Sequence, residues 1–77
     1  MFKLIEGQQI TFRPSVEIHH SEDSMETVNG PVKLGIVAIC DTPDADNTHY
    51  NVDVVICEGP YTGYTTNLDI EEDDLDS

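Results

Sequence analysis

Seventy-seven residues hold one domain at most, and a domain of ~60 residues buries only about 60% of the surface its unfolded chain exposes, so the core is small. Sixteen acids against Lys3, Arg13 and Lys33 give a net charge of -13, well beyond the magnitude of ~2 to 8 that keeps a small domain soluble. Either function compensates for that self-repulsion, or part of the chain is unfolded and merely solvated. Direct binding to DNA, RNA or anionic lipid is disfavoured, because those partners require clustered Lys and Arg. No run approaches ~18 apolar residues and the N-terminus lacks a signal-peptide pattern, so the expectation is a soluble, cytoplasmic protein that stays where it is made and has no membrane partner.

Residues 1 to 5 (MFKLI) and 8 to 18 (QQITFRPSVEI) alternate apolar with polar through Ile10, Phe12, Val16 and Ile18, the period of a half-buried strand. Pro14 cannot donate to a ladder, so this is an edge strand or two short strands joined at a kink. The next stretch, HHSEDSMETVNG, is polar and acidic without clear periodicity, and reads as a loop or at best one helical turn. VKLGIVAIC (32 to 40) is almost continuously apolar, which predicts a central strand covered on both faces. Gly35 in its middle predicts a bulge or strong bend there. DTPDADNTH is a turn-rich connection. YNVDVVIC (50 to 57) alternates through Tyr50, Val52, Val54 and Ile56, Glu58-Gly59-Pro60 breaks it, and YTGYTTNLDI (61 to 70) reads as a last strand. Cys40 and Cys57 then fall at opposite ends of an antiparallel hairpin, too far apart for a disulfide, and are expected reduced and partly buried.

No segment of ten residues has a 3.6 period, so the fold class is all-β with about five short strands. A flat sheet of that size leaves one face and two edges open, and curling into a small barrel solves both problems. Residues 32 to 75 resemble SH3-like barrels in pattern: a GIVAI strand, a loop, the YNVDVVI strand, a tight turn and a short strand running into an acidic end. The resemblance implies a small five-stranded SH3-like barrel or a strongly curled antiparallel sheet. It does not extend to the aromatic groove of Pro-rich-peptide binders, since Trp is absent. The expected organisation is a single β domain over 1–70 and an acidic C-terminal segment over 71–77, docked on the barrel or frayed.

Chemical signatures are weak. Asp44, Asp46 and Thr48 begin like a calcium loop, but His49 and Val55 stand where the Gly and the bidentate Glu belong. His19, His20 and His49 with the cysteines lack any CxxC or HxxxH pair to nucleate a zinc site. The histidines titrate nearest neutral pH, so a modest pH dependence of binding is expected. Among so many carboxylates a suitably spaced pair has no discriminating power, and a small barrel has little room for a pocket of ~300 Å³ or more. The expectation is a non-enzyme with no cofactor, no metal and no small-molecule ligand.

Apart from Glu6, the acids fall into four sets: Glu17, Glu22, Asp23 and Glu26; Asp41, Asp44 and Asp46; Asp53 and Glu58; and Asp69, Glu71, Glu72, Asp73, Asp74 and Asp76. They form a solvated surface with a disordered tail, or an array held in place because Leu68, Ile70 and Leu75 anchor the tail to the barrel. On one strand face, side chains at i and i+2 lie about 6.6 to 7 Å apart, comparable with successive phosphates of a nucleic-acid strand. In size, acidity and all-β pattern the chain is similar to phage-encoded DNA-mimic inhibitors, the anti-CRISPR and anti-restriction proteins. The resemblance implies an inhibitor in the host-cell cytoplasm that fills the basic groove of a CRISPR effector or restriction nuclease. Its contacts would be the acids from Asp41 onward, with Tyr61 and Tyr64 as aromatic anchors; core or cross-strand packing is the alternative role for those tyrosines. The competing class is a non-catalytic SH3-like interaction or virion structural module whose acids only confer solubility.

Overall fold

The computed structural model describes residues 3–43 and 48–76. They form β1 (Gln9–Phe12), β2 (Val16–Ser21), β3 (Ser24–Val28), β4 (Val32–Asp41), β5 (His49–Ile56), β6 (Thr65–Glu71) and a 3-10 turn over Glu72–Asp74. The all-β reading is correct, with six strands among the described residues where about five were expected. The chain from 9 to 28 splits at Pro14. β1 enters a four-stranded antiparallel sheet of order β1-β4-β5-β6, whereas β2 and β3 pair only with each other. Lys3–Ile5 are not in a strand, although Leu4 is buried.

The β2–β3 hairpin corrects the loop expected over 19–30. Ser21 pairs with Ser24 across Glu22 and Asp23, and Val16 pairs with Val28. Val16 and Ile18 reach the core, while Ser24 to Thr27 are all exposed. A strand in which only the last residue, Val28, meets the core carries no apolar alternation, so its periodicity is invisible in sequence.

β4 is central in the sheet but covered on one face only: Val32, Leu34 and Ile36 are buried, and Lys33 and Val37 are exposed. Gly35 is not the bulge. It pairs in register with Gln9 and Val55, and the register instead slips between Ile36 and Ala38 and again between Ile39 and Asp41. A Cβ on Gly35 would stand 3.2 Å from Val55 Cγ1 and 3.3 Å from Cys57 Sγ, so crowding on the outer face accounts for the glycine. Two irregularities within six residues, Ile36 to Asp41, bend a strand and increase its right-handed twist, which lets this short sheet curl around its own apolar face.

That face buries Ile10, Phe12, Val32, Leu34, Ile36, Tyr50, Val52, Val54, Ile56 and Ile70, joined by Leu4 and by Val16 and Ile18 from the hairpin. No polar or charged side chain is buried among the described residues. β6 is shorter than expected, because Tyr61 to Gly63 belong to the turn before it. Cys40 and Cys57 are free thiols near opposite ends of the β4–β5 pair, Cys40 exposed and Cys57 half-buried.

After β6 the chain turns back across the sheet's first strand. Phe12 bridges Leu75 in antiparallel fashion, Arg13 N donates to Asp74 O (2.7 Å) and Asp76 N donates to Thr11 O (3.0 Å). Leu68 and Leu75 pack on the core, and Ile70 is fully buried. Asp74 accepts the Glu71 N–H at 2.9 Å, fixing the 3-10 turn from within. The tail after β6 therefore meets the free edge of β1 at a single bridge, and β6 itself does not pair with β1.

Two substitutions probe this construction. Gly30 sits against the Arg13 and Pro14 carbonyls, where the chain passes between its two sheets, and a methyl group there collides with backbone. Gly30→Ala is expected to cost about 2–3 kcal/mol in urea unfolding. Leu75→Ala should cost about 1–2 kcal/mol and should make the chain beyond Asn67 susceptible to limited proteolysis, while β1, β4 and β5 stay resistant.

Candidate interaction surface

Alternation along β5 and β6 divides the acids from the core. Tyr50, Val52, Val54 and Ile56 face inward, leaving His49, Asn51, Asp53 and Val55 on the outer face; in β6 the outer positions are Thr65, Asn67, Asp69 and Glu71. The two irregularities in β4 set Asp41 opposite Asn51 and Ala38 opposite Asp53. Asp41, Asp53, Asp69 and Glu71 thus share one face of β4-β5-β6.

Two asparagines organise this face. Asn51 lies opposite Asp69, and Asn67 opposite Asp53. Their amides bond to each other, Asn51 Nδ2 to Asn67 Oδ1 at 2.8 Å and Asn67 Nδ2 to Asn51 Oδ1 at 3.0 Å. The remaining amide hydrogens reach outward, from Asn51 to Asp69 Oδ1 (2.7 Å) and from Asn67 to Asp53 Oδ1 (3.0 Å). Each carboxylate accepts a bond from a side chain that is itself tied down, and each has a second neighbour, His49 beside Asp69 and Cys40 beside Asp53. Sequence reading missed both asparagines. The signal was there in the alternation, which puts Asn51 and Asn67 in the same outward registers as the neighbouring acids.

The thiol of Cys40 borders the ladder, with Asn67 Nδ2 3.9 Å from its sulfur. Partial desolvation on the sheet face, and then the adjacent Asp53 carboxylate, push the Cys40 thiol above its ordinary value, so it stays protonated and a poor nucleophile. Beside Asp53, Val37, Thr65, Thr66 and Asn67 border a shallow depression of about 360 Å³.

All three histidines lie near carboxylates: His19 Nε2 is 3.8 Å from Glu17, His20 Nε2 3.7 Å from Glu26 and His49 Nε2 3.7 Å from Asp69. These are ion pairs only when the imidazole is protonated, and their exposure keeps each to ~0–1 kcal/mol. Among the described residues, no three His, Cys, Asp or Glu side chains gather in a way that could hold a metal ion.

The other anticipated contact residues lie elsewhere. Glu72, Asp73 and Asp76 are exposed along the returning tail, and Asp74 is half-buried in its capping role. Glu58 accepts the Lys33 N–H at 3.3 Å at the far end of the β4–β5 pair. The two tyrosines brace the hairpin: the Tyr64 hydroxyl accepts the His19 N–H (3.1 Å), the Tyr61 ring lies 5.8 Å from that of His20, and both pack against the core. Asp44 and Asp46 lie outside the described residues, and the later positions of the calcium-like stretch, His49 to Val55, belong to β5. No described helix is long and apolar enough to cross a membrane. No family model matches the chain, and neither a curated protein nor a solved structure shows significant similarity to it.

The ladder makes a chemical prediction. In a Cys57→Ser background, iodoacetamide should alkylate Cys40 at pH 8 several-fold more slowly than a free cysteine, and Asp53→Asn should speed the reaction, because removing the charge lets more thiolate form. Timed mass spectrometry of the intact protein reads both rates.

Proposed function

We propose that this chain is a non-catalytic acidic inhibitor that docks its carboxylate-bearing surface into the basic, nucleic-acid-binding groove of a bacterial defence nuclease of the CRISPR or restriction type, and so excludes DNA. The reading rests above all on the Asn51–Asn67 pair, because it converts part of an acidic surface into a fixed array. Carboxylates that already hold their positions lose less entropy on docking than a disordered acidic tail does. The return of the tail onto β1 extends the same logic to Glu72, Asp73 and Asp76, which follow Asp69 and Glu71 around the sheet. A charge of -13 supplies long-range attraction to a cationic groove, and a fast, salt-sensitive association.

The scaffold we propose for this surface is an SH3-like barrel. Supporting it are the strand order β1-β4-β5-β6, the 3-10 turn after β6 and the bridge from Leu75 back to Phe12. The competing reading, an SH3-like structural or interaction module that docks through an apolar surface, differs in its response to salt.

The test begins with the immobilised protein and nucleic-acid-binding enzymes from a bacterial lysate. Affinity for the captured enzyme should fall by on the order of tenfold or more between about 50 and 300 mM salt, and excess duplex DNA should displace it. The triple variant Asp41→Asn, Asp53→Asn, Asp69→Asn should bind more weakly with a shallower salt dependence. A tail variant with Glu71→Gln, Glu72→Gln, Asp73→Asn and Asp76→Asn, which spares Asp74, measures the other half of the surface. Binding indifferent to salt, to DNA and to both variants refutes the proposal.

A further inference from the structure

A second surface lies where the hairpin meets the turn before β6. Val28, Pro31, Val32, Ile56, Pro60 and Tyr61 line an open groove of about 310 Å³. Its floor is core, since Val32 and Ile56 are 3% and 1% exposed, and Val28 and Tyr61 are half-buried walls. Tyr61 is held in place by its contact with His20, whose imidazole lies 3.7 Å from Glu26. Of the groove's lining residues only Glu58 is charged. The nearest cation in sequence is Lys33, an exposed outward position of β4 whose backbone N–H bonds to Glu58.

Size and charge restrict what can fill this groove. Its volume is at the lower end for small-molecule sites, and its open form suits a side chain projecting from a polypeptide. A second copy of this chain also carries a net charge of -13 and is repelled. We infer that the groove accepts an apolar side chain of a partner segment whose flanking residues are Lys or Arg, the apolar group resting on Val32 and Ile56 and a flanking cation facing Glu58. This goes beyond the inhibitor reading, because a short cationic peptide suffices and the partner need not bind nucleic acid.

Amide chemical shifts of the 15N-labelled full chain test it, with three probes: acetyl-Arg-Leu-Arg-amide, acetyl-Arg-Gly-Arg-amide and acetyl-Glu-Leu-Glu-amide. The leucine peptide with arginines should move the Val28, Val32, Gly59 and Tyr61 amides saturably. The glycine peptide should bind about tenfold more weakly, the order expected for leaving one leucine side chain unburied, and the acidic peptide should leave the groove amides unmoved. Tyr61→Thr and, independently, the near-isosteric Val28→Thr should each weaken the first peptide several-fold while amide dispersion is retained. Glu58→Gln keeps an acceptor for the Lys33 N–H and should weaken it about two-fold. Equal affinity for the leucine and glycine peptides, equal affinity for the acidic one, or shifts confined to Asp41, Asp53 and Asp69 would each overturn the inference. None of those results bears on salt-sensitive docking of the acidic face to a nuclease, so the two ideas fail separately.

Discussion

The arrangement of this molecule depends on a few backbone hydrogen bonds that tie its last residues to its first strand. Arg13 to Asp74 and Asp76 to Thr11, on either side of the Phe12–Leu75 bridge, carry the acid-rich end of the chain back across β1. Without that return, Ile70 would be the last buried residue and the carboxylates beyond it would extend into solvent. With it, residues 72–76 continue around the sheet. The anchors are apolar and main-chain groups. Leu68, Ile70 and Leu75 supply burial, and the backbone amides are neutral donors, so the tail is held by forces that do not screen with salt as surface charge pairs do.

Repulsion among the acids is the load this clasp must carry. Among the described residues the core holds thirteen buried apolar side chains and no charge, so no described acid is taken out of water. At high dielectric two like charges 4 Å apart repel by only about 1 kcal/mol. The asparagines reduce the local problem further, since Asn51 and Asn67 put amide hydrogens against Asp69 and Asp53 where a Lys or Arg would cancel charge. The face is stabilised while its net charge is preserved. That combination suits a surface whose partner is cationic, and is wasteful for one whose sole task is solubility.

How much of this was legible in the chain varied with what each residue buries. β5 could be read nearly residue by residue, since Tyr50, Val52, Val54 and Ile56 all face one core. Pro14 correctly marked a break, and the two halves around it belong to different sheets. β3 was hidden because Ser24 to Thr27 touch no core, and pairing with β2 in backbone alone leaves no side-chain pattern. In β4 the long apolar run suggested cover on both faces, whereas Val37 is 52% exposed and the slips near Ala38 and Cys40 redirect the side chains beyond it. Gly35 misled for a related reason: it answers to crowding by Val55 and Cys57 and not to a bend. For the candidate surface, the acids were plain in composition, but the two asparagines that orient Asp53 and Asp69 emerge only from the β5–β6 register.

The same alternation separates the two surfaces energetically. Asp41, Asp53 and Asp69 project from the side of β4-β5-β6 opposite the core, so changing their charge perturbs no buried contact. The groove, by contrast, is continuous with the core through Val32 and Ile56, and its walls come from elements far apart in sequence: Val28 and Pro31 at the base of the hairpin, Pro60 and Tyr61 in the turn before β6. Its shape therefore depends on how the hairpin sits against that turn. Val16 and Ile18 seat the hairpin in the core, and the contacts nearest the groove are partly exposed: the His19 amide on the Tyr64 hydroxyl and the His20 ring against Tyr61. Exposed contacts of this kind are among the first to open in a folded protein. The acidic face and the groove thus differ in what supports them, the one standing on the outer side of β5 and β6 and the other opening directly onto the core, a division imposed by which residues the small core can reach.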